Sequence, residues 1–171
     1  MEIINTLDNA HPDIHIIKKE DVVWSSNPSL QKKKQTNIPI DLMREKMIGG
    51  TTSDGVNHDS LVFKTPLLGK QKVFIVDEAE LLDEPSQNAI LKTLEEPPVD
   101  TTIILVTSRE DRLFETTKSR CHLYSFGPLS NEDLGIWARE RVGVGGEELA
   151  WVLEFACGAP GVLEEAIDCG V

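Results

Sequence analysis

The chain has 171 residues, 40% of them apolar, enough for one ordinary domain or one domain with a small appendage. Lys and Arg total 17 against 29 Asp and Glu, a net charge of -12, which excludes broad phosphate-backbone binding by this chain alone, since that needs clustered cations. The 3 cysteines have no C-x-x-C spacing and read as reduced thiols of a cytosolic protein; no apolar run is long enough to span a membrane, and no cationic stretch opens a signal peptide.

Ile14-His15-Ile16-Ile17 is a short β-rich run after the turn-like His11-Pro12-Asp13. Residues 21–37 are polar, carry Trp24 and the run Lys32-Lys33-Lys34, and predict a loop with solvated lysines. Pro39 to Ile48 predicts a helix with Pro39 in its first turn and an apolar stripe of Leu42, Met43, Met47 and Ile48. Gly49 to Ser60 is rich in Gly, Ser, Thr and Asn and predicts a mobile loop. His58-Asp59 within it has the chemistry of a metal or acid–base pair, but the sequence offers no third ligand nearby, so solvent exposure is predicted.

Val73-Phe74-Ile75-Val76 ends abruptly in Asp77-Glu78 and predicts a buried strand. Asp83 then caps a helix to about Glu96, with Pro85 in its first turn, Ala89, Ile90 and Leu94 toward the core, and Pro97-Pro98 as the stop. Thr102 to Thr107 is the next buried strand, Arg112 to Lys118 a short helix and His122 to Phe126 a final strand. This alternation implies parallel pairing with right-handed crossovers. Gly127-Pro128 marks a boundary, after which the pattern is helical only. Ser130-x-x-Asp133 is a capping box before Leu134, Trp137 and Ala138. Gly143 to Gly146 turns into a second helix, Glu147 to Cys157, stopped by Gly158; Pro160-Gly161 leads into a third, Val162 to Asp168.

Asp77 and Glu78 close a strand where open α/β sheets bind ligands. In nucleotide-hydrolysing folds this is the Walker B position, where the Asp helps hold Mg²⁺ and an adjacent acid polarises water. The plainer reading is a polar strand end in a module that binds no nucleotide. It is favoured because no G-x-x-x-x-G-K-[ST] loop occurs: Gly69-Lys70 is followed by Gln71, Lys64 stands where the first Gly belongs, and the pair precedes a strand.

The segments NAILKTLEEPP (88–98) and KSRC (118–121), with VDEAE (76–80) and I-D-x-x-R (40–44), resemble the AAA+ clamp-loader subunits of bacterial DNA polymerase III, most closely the delta-prime type. The resemblance runs from about His11 to the C-terminus. It implies an α/β fold: a parallel-sheet, P-loop-NTPase-like AAA+ core over residues 1–127 that lacks its first strand, then a small three-helix lid over 128–171. Missing relative to the family are the first strand with its phosphate loop, the zinc-binding cysteines before His-Pro-Asp, and the C-terminal collar. The chain is then either a piece of a longer product or a short form. With the family's central strand gone, His122 to Phe126 lies against Thr102 to Thr107 or faces a gap.

The resemblance also assigns roles. Arg120 of Ser119-Arg120-Cys121 becomes an arginine finger acting in trans on a neighbouring ATPase subunit, an Arg being permanently charged and able to fork onto phosphate. The plainer reading is a helix-end Arg offsetting the dipole. Asp77 and Glu78 become a degenerate Walker B, and Thr107, with Ser108, stands at the sensor position. The lid segment Cys157 to Gly161 has no sensor Arg. Cys121 is expected as a buried thiol, not a nucleophile. The implied function is that of a non-catalytic clamp-loader subunit in DNA replication, without cofactor or metal of its own, cytoplasmic and free of the membrane. Its partners would be gamma/tau and delta subunits and, indirectly, the sliding clamp and primed DNA. The alternative is a clamp-loader ATPase of gamma/tau type, or another AAA+ ATPase, whose phosphate loop lies upstream.

Overall fold

The computed structural model describes residues 11–32, 36–143 and 147–168. The predicted lysine run is therefore described only at Lys32, and the N-terminal stretch, the turn at 144–146 and Cys169 lie outside the described residues. The chain divides into two compact units, Glu2–Leu123 and Tyr124–Val171.

The first unit is built on three parallel strands, β1 (Ile14–Ile17), β4 (Lys72–Val76) and β5 (Thr101–Leu105), in the order β1-β4-β5. Ile14 is in register with Val73, and Val73 with Thr102. β4 is the central strand because both its neighbours cover it, and Phe74 and Val76 are wholly buried. Burying a side chain such as Phe74 contributes about 1.5–3 kcal/mol. His15 stacks on its ring at 4.6 Å between centroids. Lys72 is also buried, its Nζ donating to the carbonyls of Leu61 at 2.5 Å and Val62 at 3.0 Å; burial pushes its pKa down.

Asp13 secures the entrance to β1. Its carboxylate, 1% exposed, accepts the main-chain N–H groups of Leu67 (2.5 Å), Leu68 (2.8 Å) and Gly69 (2.6 Å). Burial alone would raise its pKa, but these three donors, helped by His11, outweigh it and hold it at about 2.

The predicted loop at 21–37 is instead partly helical. A 3₁₀ turn spans Lys19–Trp24 and a short helix α1 spans Pro28–Gln31. Asn27 caps α1 by accepting from Ser29 N, and its amide also donates to Asp41 at 3.3 Å and Ser53 at 3.1 Å. Those polar residues are structural, which composition alone hides. The predicted helix from Pro39 begins as α2 (Ile40–Met43) and widens into a π-turn over Arg44–Ile48, with Leu42, Met43 and Met47 wholly buried. The loop predicted at 49–60 contains a hairpin, β2 (Gly50–Thr51) antiparallel to β3 (Asn57–His58). Gly49, at φ +73°, opens it: a Cβ there would stand 2.5 Å from Ser60 N.

Helix α3 (Glu84–Glu95) forms as predicted, with Asp83 accepting from Ser86 N at 2.9 Å and a proline in the first turn. Ile90 is buried and Leu94 packs partly against the core, yet Ser86, Gln87 and Thr93 are the other buried positions. Gln87 earns its place through bonds to the next segment: its Nε2 donates to Leu82 O and Arg112 O, both at 3.3 Å, and its Oε1 accepts Phe114 N at 2.8 Å. The predicted helix at 112–118 splits into a 3₁₀ turn, Glu110–Arg112, and α4, Glu115–Lys118.

Two expectations for the sheet fail. β5 is an edge strand and not a buried one: Ile104 is 42% and Val106 45% exposed. Residues 122–126 form no strand, and Leu123, Tyr124 and Phe126 are exposed. A short strand is stable only when paired within a sheet, and among the described residues none pairs with this segment.

The second unit holds three helices, α5 (Asn131–Arg141), α6 (Glu147–Ala156) and α7 (Pro160–Asp168). Ser130 caps α5, accepting Asp133 N at 3.1 Å. Leu134, Ala138, Ala156 and Leu163 form its core, with Trp137 packed against them. Among the described residues no helix is long and apolar enough to cross a membrane.

Candidate functional site

The first group of candidate residues lies at the carboxyl ends of β4 and β5. Asp77 follows β4 directly, its N–H donating to Ile17 O at 3.0 Å, and its Oδ1 accepts Glu78 N at 3.0 Å. Glu78 takes a left-handed backbone, φ 49°, and turns its carboxylate onto Lys19, 2.7 Å from Nζ. The pairing raises the Lys19 pKa, its hydrogen bond to Glu78 outweighing desolvation. Glu78 is thus already neutralised by a cation from the segment after β1. Sequence reading did not anticipate Lys19, which lies far away along the chain.

Glu80, also missed, is the acid that meets the sensor position. Its Oε1 accepts Ser108 Oγ at 2.9 Å. Burial works to raise its pKa, but contacts with Thr107 and Ser108 outweigh it and the net shift is downward. Thr107 Oγ1 itself accepts Arg109 N at 3.0 Å. The sequence signal was present as the third acid of Asp77-Glu78-Ala79-Glu80: a 3₁₀ turn over Ala79–Leu81 carries Glu80 to the end of β5. Glu78 is engaged by Lys19, and none of the 171 residues forms a G-x-x-x-x-G-K-[ST] loop.

The second group lies at the end of α4. Arg120 follows it on the turn Ser119-Arg120-Cys121, its backbone N–H donating to Thr117 O at 3.1 Å. Its Nε donates to Glu95 Oε1 at 2.8 Å, and Nη2 lies 2.5 Å from the same oxygen. Nη1 donates to Thr116 O at 2.7 Å, so a helix-end role is present in the geometry. Glu95 is the last residue of α3 and another position that sequence reading left without a role. Ser119 Oγ donates to Thr116 O at 3.1 Å. Cys121 is exposed, contrary to the expectation of a buried thiol, because the segment after it leaves the sheet; partial desolvation still pushes its thiol pKa up, away from nucleophilic activation.

Among the described residues no hydrogen bond or ion pair joins the two groups directly. Nor does the structure make a metal site of His58-Asp59. Asp59 pairs with Lys64 at 2.9 Å, His58 is half-buried with Nε2 unpartnered, and among the described residues no three His, Cys, Asp or Glu gather to hold a metal.

Residues 3–130 match the family model described as DNA polymerase III, delta subunit. DNA polymerase III subunit delta' of Escherichia coli (strain K12) is 38% identical over 152 residues, covering 89% of this chain and 38% of that protein. DNA polymerase III subunit gamma of Buchnera aphidicola subsp. Schizaphis graminum is 34% identical over 103 residues, 57% of this chain and 28% of that one. A solved structure of a DNA polymerase III gamma subunit-related protein from Thermotoga maritima superposes with a TM-score of 0.56 at 26% identity, over 89% of this chain and 41% of its own. The chain spans less than half the length of each of these relatives.

Proposed function

Because the chain belongs to the DNA polymerase III delta-subunit family, we propose that it acts as a non-catalytic clamp-loader subunit and lends Arg120 to the nucleotide site of a neighbouring ATPase subunit. The observation that carries this reading is Arg120 itself. It is a permanent cation on the turn after α4, its side chain 32% exposed, and among the described residues one N–H of Nη2 meets no partner while Nη1 reaches Ser119 Oγ only at 3.4 Å. A cation delivered to a γ-phosphate stabilises the charge of the transition state. Asp77 and Glu78 are then strand-end residues, Thr107 and Ser108 a vestigial sensor held by Glu80, and residues 128–171 the lid. The partners are gamma/tau and delta subunits, with the clamp and primed DNA reached through them, in the cytoplasm.

In the assembled loader, Arg120→Ala lowers DNA-stimulated ATPase at the affected site by up to about 10³-fold, while the chain's own stability changes by about 1 kcal/mol or less, the range of an exposed ion pair. Arg120→Lys is impaired as well, because an ammonium lacks the planar fork. Equal rates for wild type and Arg120→Ala at matched stoichiometry refute the finger.

The likeness to gamma subunits favours a second reading, a gamma/tau-type ATPase whose phosphate loop lies upstream. The coding sequence upstream of residue 1 separates the two: an intact phosphate loop there supports the ATPase, and its absence supports the non-catalytic subunit.

A further inference from the structure

We infer that Glu95 is the positioning residue for Arg120, holding one edge of its guanidinium so that the other edge is presented to the partner's phosphate; this rests on the finger reading above. A guanidinium carries five N–H groups in a fixed plane. Nε–H and one N–H of Nη2 form one edge, and both meet Glu95 Oε1, at 2.8 and 2.5 Å. The flank of Nη1 donates to Thr116 O at 2.7 Å. Among the described residues one N–H of Nη2 meets no partner and the second N–H of Nη1 is held only weakly; these two form the end of the guanidinium, the pair that grips two phosphate oxygens in a fork. Ser119 Oγ stands 3.4 Å from Nη1, too far for more than a weak contact.

The two anchors also come from different elements. Glu95 ends α3, which is fixed in the core by Ile90, Ser86 and Gln87, and Thr116 lies in α4. The flexible side chain is therefore referenced to both helices before any partner arrives. An unrestrained Arg loses that rotamer freedom on engagement; a clamped one has lost it already. Because the Glu95 side chain is itself 47% exposed, the clamp is weak enough to let the fork adjust.

Two measurements test this. In the 15N-labelled chain, the Arg120 Nε–H resonance, assigned by its loss in Arg120→Lys, exchanges slowly with water, and Glu95→Gln speeds exchange by about fivefold, the upper end for releasing an exposed ion pair. In the assembled loader, Glu95→Gln lowers stimulated turnover by about 2- to 10-fold with KM for ATP unchanged, and Glu95→Asp restores part of it. A rate that rises in Glu95→Gln overturns the inference, since Glu95 would then sequester the finger. So does a Glu95→Gln rate equal to wild type while Arg120→Ala is impaired, or an Nε–H that exchanges as fast in wild type as in Glu95→Gln. If Arg120→Ala itself has no effect, the finger reading falls and this role falls with it, even where the exchange data still show the clamp.

Discussion

Replacing Gln87 by Leu tests whether a buried amide, and not apolar packing, ties α3 to the segment that leads to Arg120. Gln87 is 3% exposed, so its bonds have no ready substitute from bulk water. Leu leaves Phe114 N–H, which Gln87 Oε1 accepts at 2.8 Å, without its partner. An unsatisfied buried donor costs about 1–3 kcal/mol. The two 3.3 Å bonds to Leu82 O and Arg112 O are long, and their loss adds about 0.5 kcal/mol each. Leu regains some of this through apolar contact, about 1 kcal/mol, leaving a net loss of about 2 kcal/mol. With a urea slope of about 1–3 kcal/mol per molar, the midpoint falls by about 1 M. Hydrogen exchange of the β4 amides in rising urea reads this unit alone, apart from the helical one. Protection also falls at residues 115–120, because Phe114 is the N-cap of α4. A Leu variant whose midpoint lies within about 0.2 M of wild type, at an unchanged slope, refutes the reasoning and assigns the site to packing.

Asp13 makes stability depend on acid pH. Its folded pKa of about 2 lies below the ordinary aspartate value of 3.8, so the unfolded chain binds the proton more tightly. The stabilisation is therefore in place above 3.8 and drains away as pH falls toward 2; Asp13→Asn flattens this part of the pH dependence of the urea midpoint, and an unaltered profile counts against the three-donor cradle. Gly49→Ala combines a φ of +73° with a Cβ 2.5 Å from Ser60 N and costs about 3 kcal/mol or more, whereas Gly55→Ala, at φ +85° with nothing within 4 Å, carries the backbone strain only, about 1 kcal/mol. Thermal melts of the two variants check the difference, and similar melting temperatures would show that the hairpin yields at Gly49.

The elements legible in the sequence were those whose signals are local. Asp83 and the following proline announce α3, and the apolar run before Asp77 announces β4, because cap chemistry and strand burial act over a few residues. Residues 21–37 read as a loop because the reasons that part of them folds are distant: Asn27 bonds Asp41 and Ser53, and Ser25 bonds Glu45. β5 was read as buried because Ile103-Ile104-Leu105-Val106 is apolar throughout, yet periodicity cannot say whether a neighbour covers both faces. Of the candidate site, the family motifs pointed to Arg120, Asp77, Glu78 and Thr107. Two of the partners that define their state, Glu95 and Lys19, came only from geometry, since side-chain pairing across 25 or 59 positions leaves no pattern in one sequence.

Among the described residues no strand covers the outer edge of β5, and this has a consequence for how the chain behaves at concentration. Residues 101–107, Thr-Thr-Ile-Ile-Leu-Val-Thr, hold no charge, no proline and no glycine, and they present unpaired main-chain donors and acceptors beside the exposed Ile104 and Val106. That is the composition of a cross-β seed, able to template the same stretch of another molecule. Nothing within the strand acts as a gatekeeper; what keeps molecules apart is the long-range repulsion of a net charge of -12. Salt shortens the reach of that repulsion to about 8–10 Å near physiological strength, so self-association through this edge is expected to rise with ionic strength.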